Sequence, residues 1–325
     1  MQKFEKELAV LINKRASDLY ILPVNDYFRL SYAEKGHLHL LKEVDTSYGQ
    51  QFISYLKYQA NMAISEHRRP QLGAINWQTG TEKVNLRLSS VGDYQGRESL
   101  VVRFIYQLTT KDFNLVVPHQ WQQLQAGVAN RGLALFAGPM GNGKTTTMYQ
   151  LAKTFLPQKI ILTIEDPVEI EEPNFVQLQV NELAGMDYQS LIRLGLRHRP
   201  DIFIIGEIRD PKTAIMAIQA SLSGHLVLAT IHARSVTGVI ARLRQLGIDR
   251  YYLEQALQLI CYQRLIPTVT GKQAVLWDIL QGQPLQMAIQ HENEGGVTNE
   301  WQATLDQAVK QQLISPTVAK EYQNG

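Results

Sequence analysis

The sequence predicts an α/β protein in which a mostly parallel sheet carries a phosphate-binding loop, with a smaller mixed α/β unit before it and a helical region after it. Three observations predict this class. Residues 138–145, GPMGNGKT, match G-x-x-x-x-G-K-[ST] without a gap. Four apolar runs, GLALFAG, KIILTIED, PDIFIIGEIRD and HLVLATIH, are separated by helix-forming stretches, the order expected of parallel strands joined by helical crossovers. The runs are rich in β-branched residues and lack strict polar alternation, so their sheet should be covered on both faces.

Composition sets the outer bounds. A chain of 325 residues with 45% hydrophobic and 19% charged residues is globular, and its length favours two domains. The 32 basic and 30 acidic residues leave a net charge of +2, too small for bulk attraction to nucleic acid or an anionic membrane. The single cysteine, Cys261, excludes an intramolecular disulfide and a Cys-x-x-Cys zinc site, fits a reducing compartment, and is expected as a small buried hydrophobe. No apolar run approaches the ~18 to 20 residues that span a bilayer, and the start, MQKFEKELAVLINKRASDLY, is charged where a signal peptide is apolar. The expected location is the cytoplasm, with any membrane contact peripheral.

Residues 1–108 read as the smaller domain. Phe4, Leu8, Leu11 and Ile12 fall at helical spacing, and short strands follow near 18–22, 28–33 and 37–40. A helix over about 49–61 leads into two alternating runs, KVNLRLSSV and SLVVRFIY, split by Gly92, Asp93 and Gly96 as in a hairpin. Residues 109–118 have mixed composition and a proline and read as a linker. Residues 119–325 form the larger domain, and its tail from about Val236 onward reads as mostly helical.

The segment Gly138, Pro139, Met140, Gly141, Asn142, Gly143, Lys144, Thr145 and Thr146 is the candidate nucleotide-binding loop. Its glycines let backbone N–H groups approach phosphate oxygens while the following helix directs its positive end at the same anion. Lys144 should bind the β and γ phosphates, and the Thr145 hydroxyl should ligate Mg²⁺. In DIFIIGEIRD a buried strand ends at Glu207, and a carboxylate there, on a strand expected beside the loop's own strand, can hold Mg²⁺ or orient water. TIEDPVE adds Glu165, Asp166 and Glu169, which require neutralisation by a cation or by arginines. His225 and His232 bracket a short apolar strand; their spacing does not suit a zinc pair on one helix, and phosphate contact is the functional expectation.

This string of motifs resembles the ATPase superfamily of type II secretion and type IV pili. GPMGNGKTTT is similar to its phosphate loop, TIEDPVE to its aspartate box, DIFIIGEIRD to its Walker B segment and GHLVLATIHA to its histidine box, in the family's order. ASDLYILP at 16–23, ISEHRRPQLGAI at 64–75 and YQRLIP at 262–267 resemble further family segments, so the likeness spans about residues 10–270. Tyr20 stands where the family commonly has histidine, and Leu72 where it has aspartate. LRHRPD at 196–201, with the short linker and a tail without a tetracysteine module, resembles the competence-pilus branch of Gram-positive bacteria.

The resemblance implies a RecA-like ATPase core with a PAS-like amino-terminal domain, a homohexameric ring, and ATP and Mg²⁺ as cofactors. It assigns phosphate binding to Lys144, the metal to Thr145 and Glu207, and catalytic roles to Glu169, Glu207, His225 and His232 lining one site. Arg87 and Arg103 match arginines that reach nucleotide phosphates from the amino-terminal domain. It further implies a polytopic membrane platform protein as partner, pilins reached only indirectly, no direct nucleic-acid contact, and ATP-driven assembly of a competence pilus. Pilus retraction and type II secretion are the alternatives within the family. A DNA-translocating motor is the alternative outside it, disfavoured because aromatic-plus-basic segments are absent.

Overall fold

The computed structural model describes residues 2–34, 37–79, 82–106, 114–128, 131–291 and 296–325. They group into two compact units, 1–108 and 109–325.

The amino-terminal unit opens with helix α1 (Gln2–Asn13), which buries Phe4, Leu8, Leu11 and Ile12. Strands β1 (Asp18–Val24), β2 (Tyr27–Glu34) and β3 (His37–Asp45) follow, then helix α2 (Thr46–Gln59), capped where the Tyr48 N–H donates to Asp45. Strands β4 (Gln71–Thr79), β5 (Glu82–Gly92) and β6 (Glu98–Tyr106) complete an antiparallel sheet in the order β3-β2-β1-β6-β5-β4. The hairpin expected from the two alternating runs is β5 and β6. Strand β4 was not expected: LGAINWQT mixes polar and apolar residues because a single buried residue, Ile75, marks its covered face. Beneath the sheet, the buried Lys57 amine donates to Glu98 Oε1 at 2.7 Å and to the Glu66 carbonyl, and Glu98 Oε2 meets His67 Nδ1 at 2.9 Å.

The carboxy-terminal unit runs α3 (His119–Gly127), β7 (Gly132–Ala137), α4 (Lys144–Lys153), β8 (Ile161–Glu165), β9 (Val176–Gln179), α5 (Tyr188–His198), β10 (Ile202–Ile208), α6 (Pro211–Leu222) and β11 (Leu226–Ile231). It continues through α7 (Val236–Gln245), α8 (Arg250–Ala256), β12 (Leu257–Pro267), β13 (Gln273–Gln281), α9 (Gly282–His291), α10 (Asn299–Lys310) and α11 (Pro316–Glu321). The sheet order is β13-β12-β7-β11-β10-β8-β9, parallel except for β13. Strands β7, β8 and β11 are buried along their whole length, as their unbroken apolar runs require. Asp187, Asp210 and Ser235 cap α5, α6 and α7 through their side chains, which fixes where each crossover helix begins.

Two expectations need correction and a third is incomplete. The region after Val236 is helical in α7 to α11, but the long antiparallel pair β12 and β13 also lies within it and widens the sheet, with Cys261 buried at its centre. Their runs LQLICYQRLIP and QAVLWDILQ are buried on both faces, and the turn at 268–272 that joins them hides a strand pattern inside helical flanks. Of the expected linker at 109–118, residues 109–113 lie outside the described residues. Residues 114–118 run along β13, exchanging hydrogen bonds between Val116 N–H and the Val275 carbonyl and between Val275 N–H and the Asn114 carbonyl. The strand carrying Glu207 is also not beside the loop's strand, since β11 lies between β7 and β10.

Candidate nucleotide site

Residues 138–143 leave the carboxyl end of β7 and enter α4, whose first residue is Lys144. Gly138, Gly141 and Gly143 all have positive φ, at 138°, 73° and 73°. At Gly138 the requirement is double, because a Cβ there would lie 2.3 Å from the Gln263 carbonyl oxygen on the neighbouring strand. The amino end of α4 thus opens onto a cleft of about 390 Å³ lined by Met140 to Thr146, Glu165, Asp166, Glu169, Glu207, Arg209, Thr230 and His232.

Lys144 Nζ donates to the carbonyls of Gly138 (2.9 Å) and Pro139 (2.8 Å) and so closes the loop on itself. Partial burial lowers its proton affinity, while the carboxylates of Glu207 and Glu169 oppose that shift. Thr145 Oγ1 lies 3.5 Å from Glu169 Oε2. Glu207 is held on both oxygens: Arg209 Nε donates to Oε2 at 2.5 Å, and His232 Nε2 is 2.9 Å from Oε1. Arg209 also reaches Asp166 at 3.9 Å, so one guanidinium offsets two of the clustered carboxylates. Glu165 lies deeper, accepting from Tyr149 O–H at 2.5 Å and Thr163 O–H at 2.7 Å, and its burial raises its pKa.

The structure gathers most of the expected residues here but not all. His225 precedes β11 at the end of the strand remote from the loop. Its ring packs edge-on against Phe203, and its Nδ1 sits 3.1 Å from the Ala220 carbonyl. A strand rises about 3.3 Å per residue, so the seven positions from His225 to His232 separate them by roughly 20 Å. The expectation that both histidines line one site is therefore corrected, and His225 serves the packing of the strand's other end. Of the two residues expected at the metal, Thr145 has Glu169 beside its hydroxyl, and the two oxygens of Glu207 face the side chains of Arg209 and His232. Among the described residues no group of three or more His, Cys, Asp and Glu could hold a metal ion unaided. The hydroxyl and carboxylate oxygens at Thr145 and Glu169 are hard donors that suit Mg²⁺ completed by phosphate oxygens.

Arg87 and Arg103 face each other across β5 and β6 on the side of the sheet away from the amino-terminal core. Arg103, about half exposed, pairs with Asp18 on β1 at 3.1 Å. Sequence reasoning passed over Gln263 in YQRLIP and Tyr149, whose roles depend on strand neighbours that no local pattern announces.

The sheet order, the loop at the end of β7 and the carboxylates of the cleft define a phosphate-loop enzyme of RecA-like α/β architecture. The profile of the family described as "Type II/IV secretion system protein" matches residues 2–314, and the chain belongs to that family. It is 41% identical over 271 residues to "Competence protein ComGA" of Streptococcus pneumoniae (strain ATCC BAA-255 / R6), covering 82% of this chain and 85% of that one. It is 34% identical over 343 residues to "Competence protein ComGA" of Bacillus subtilis (strain 168), covering 95% and 94%. Among solved structures, the Yersinia pseudotuberculosis ATPase DotB superposes with a TM-score of 0.76 at 21% identity, covering 98% of this chain and 92% of that one, a likeness of fold.

Proposed function

We propose that this protein is an ATP-hydrolysing motor that drives assembly of a competence pilus. The observation that carries the reading is the cleft itself. A phosphate loop with Lys144 at a helix start faces Glu169 and Glu207, in a chain that shares 41% of its aligned residues with a competence protein. ATP phosphates bind the backbone N–H groups of 141–146 and Lys144, which exchanges its loop carbonyls for phosphate oxygens. The Thr145 hydroxyl, with Glu169 nearby, would hold Mg²⁺, which would supply charge neutralisation at the transferred phosphoryl group. Glu207 orients the attacking water, and its pairing with Arg209 and His232 fixes its direction. In this reading Arg87 and Arg103 are required for turnover.

The working assembly in this reading is a homohexamer at the cytoplasmic face of the membrane, turning a polytopic platform protein and through it the pilins. No helix among the described residues is long and apolar enough to cross a membrane, and in this reading attachment to the platform is peripheral. The test is steady-state phosphate release by the purified protein, with Lys144→Ala and Glu207→Gln as variants, paired with filament assembly in cells carrying each. Lys144→Ala should lose turnover and filaments while keeping its fold, and Glu207→Gln should bind ATP but not hydrolyse it. Turnover by Lys144→Ala within about twofold of the unsubstituted protein would reject the reading, since charge-assisted phosphate contacts contribute about 1.5 to 3 kcal/mol.

A further inference from the structure

One buried amide holds the phosphate loop from the side of β12. Gln263 is fully buried. Its Oε1 accepts from Thr147 Oγ1 on α4 at 2.8 Å and from the Trp277 indole Nε1 on β13 at 2.8 Å. Its Nε2 donates to the Asn142 carbonyl at 2.5 Å. Two residues further along β12, the Leu265 N–H donates to Asn142 Oδ1 at 2.8 Å. Asn142, in the middle of the loop, is therefore gripped through both its backbone and its side chain by one strand.

The chemistry fixes which way the amide points. An indole N–H can only donate and a peptide carbonyl can only accept, so the Gln263 oxygen faces Trp277 and its nitrogen faces Asn142. Trp277 is itself tied to α3, because Gln120 Nε2 donates to its carbonyl at 2.7 Å. The consequence falls on the loop. In a planar trans peptide the carbonyl and the following N–H point in opposite directions. Holding the Asn142 carbonyl against β12 therefore turns the Gly143 N–H away from β12, toward the cleft that Gly143 lines.

We propose that Gln263 is a positioning residue for the phosphate loop, aiming the Gly143 peptide group at bound phosphate; this rests on the reading that residues 138–146 bind nucleotide. Gln263→Glu would keep the acceptor for Thr147 and Trp277 but lose the donor, and would place a carboxylate against the Asn142 carbonyl. Gln263→Met combined with Trp277→Phe removes the amide without leaving a buried indole N–H unpaired, so its comparison with Trp277→Phe alone reads the amide's links to Thr147 and to the loop at Asn142 together, and Gln263→Glu, which keeps the Thr147 bond, tests the loop link by itself.

The experiment measures the dissociation constant of ADP and the thermal midpoint for the full chain and for Gln263→Glu, Trp277→Phe and the Gln263→Met/Trp277→Phe pair. Gln263→Glu should raise the ADP dissociation constant at least about tenfold over the unsubstituted protein, equivalent to about 1.4 kcal/mol. The pair should show the same rise over Trp277→Phe, with a thermal midpoint within about 3 °C of it. Dissociation constants within about twofold of their references would overturn the proposal, as would affinity that falls only in step with the thermal midpoint. If the unsubstituted chain binds no ADP, the nucleotide reading itself fails, a result distinct from equal binding by all four proteins.

Discussion

Placing alanine at Gly138 separates two causes of damage in the phosphate loop. Gly138 has φ 138° and would set a Cβ 2.3 Å from the Gln263 carbonyl oxygen. Holding a non-glycine residue in a sparsely populated backbone region costs about 1 to 3 kcal/mol. Relieving the contact requires β7 or β12 to shift, and forced repacking of this kind costs about 1 to 3 kcal/mol more. A total near 4 kcal/mol results. At about 2 to 4 °C per kcal/mol for a unit of this size, the thermal midpoint should fall by about 8 to 16 °C. Gly141→Ala is the internal control: φ is 73° and nothing lies within 4 Å of the added atom. Its cost is the left-handed conformation alone, about 1.5 kcal/mol, or about 3 to 6 °C. Calorimetry of both variants, with ADP binding measured on each, supplies the comparison. Equal thermal midpoints for the two would refute the claim that β12 crowds the loop at its first residue.

Three further outcomes are expected. Replacing Arg87 and Arg103 together with glutamine should leave nucleotide bound and suppress phosphate release, whereas a purely surface role predicts normal turnover, because exposed charges contribute little. Lys57→Met leaves the Glu98 carboxylate buried without its amine and should destabilise the amino-terminal unit by about 3 to 5 kcal/mol, while Lys57→Met/Glu98→Leu recovers most of it; chemical denaturation that ranks the pair below the single variant counts against this. Burial raises the Glu165 pKa from its usual 4.5, so the folded state holds that proton more tightly than the unfolded chain. Its contribution therefore makes stability fall as pH rises from 4.5 through the raised value. Glu165→Gln, which keeps an acceptor for Tyr149 and Thr163, should lack that fall, and a thermal-midpoint difference from the unsubstituted protein that is flat with pH would exclude it.

The placement of these residues shows what a linear reading reaches. The sequence by itself determined the phosphate loop, because its chemistry is local: three glycines with positive φ and a lysine at a helix start are set by residues within eight positions of one another. It also determined the α/β class, since strands covered on both faces must be apolar throughout, and the hairpin of β5 and β6, whose alternation and turn residues are contiguous. Tertiary structure alone decided which strand ends share the cleft. His225 and His232 belong to one motif, yet a strand separates its two ends by its own length and only one of them reaches the nucleotide site. The order β7-β11-β10 put His232 and Arg209 on the two oxygens of Glu207, which left Glu169 beside Thr145. Gln263 stands 121 positions from Asn142, and only parallel pairing of β12 with β7 brings its amide under the loop. Contacts of that span depend on which strands become neighbours, a choice made by the burial of whole faces rather than by the residues that end up touching.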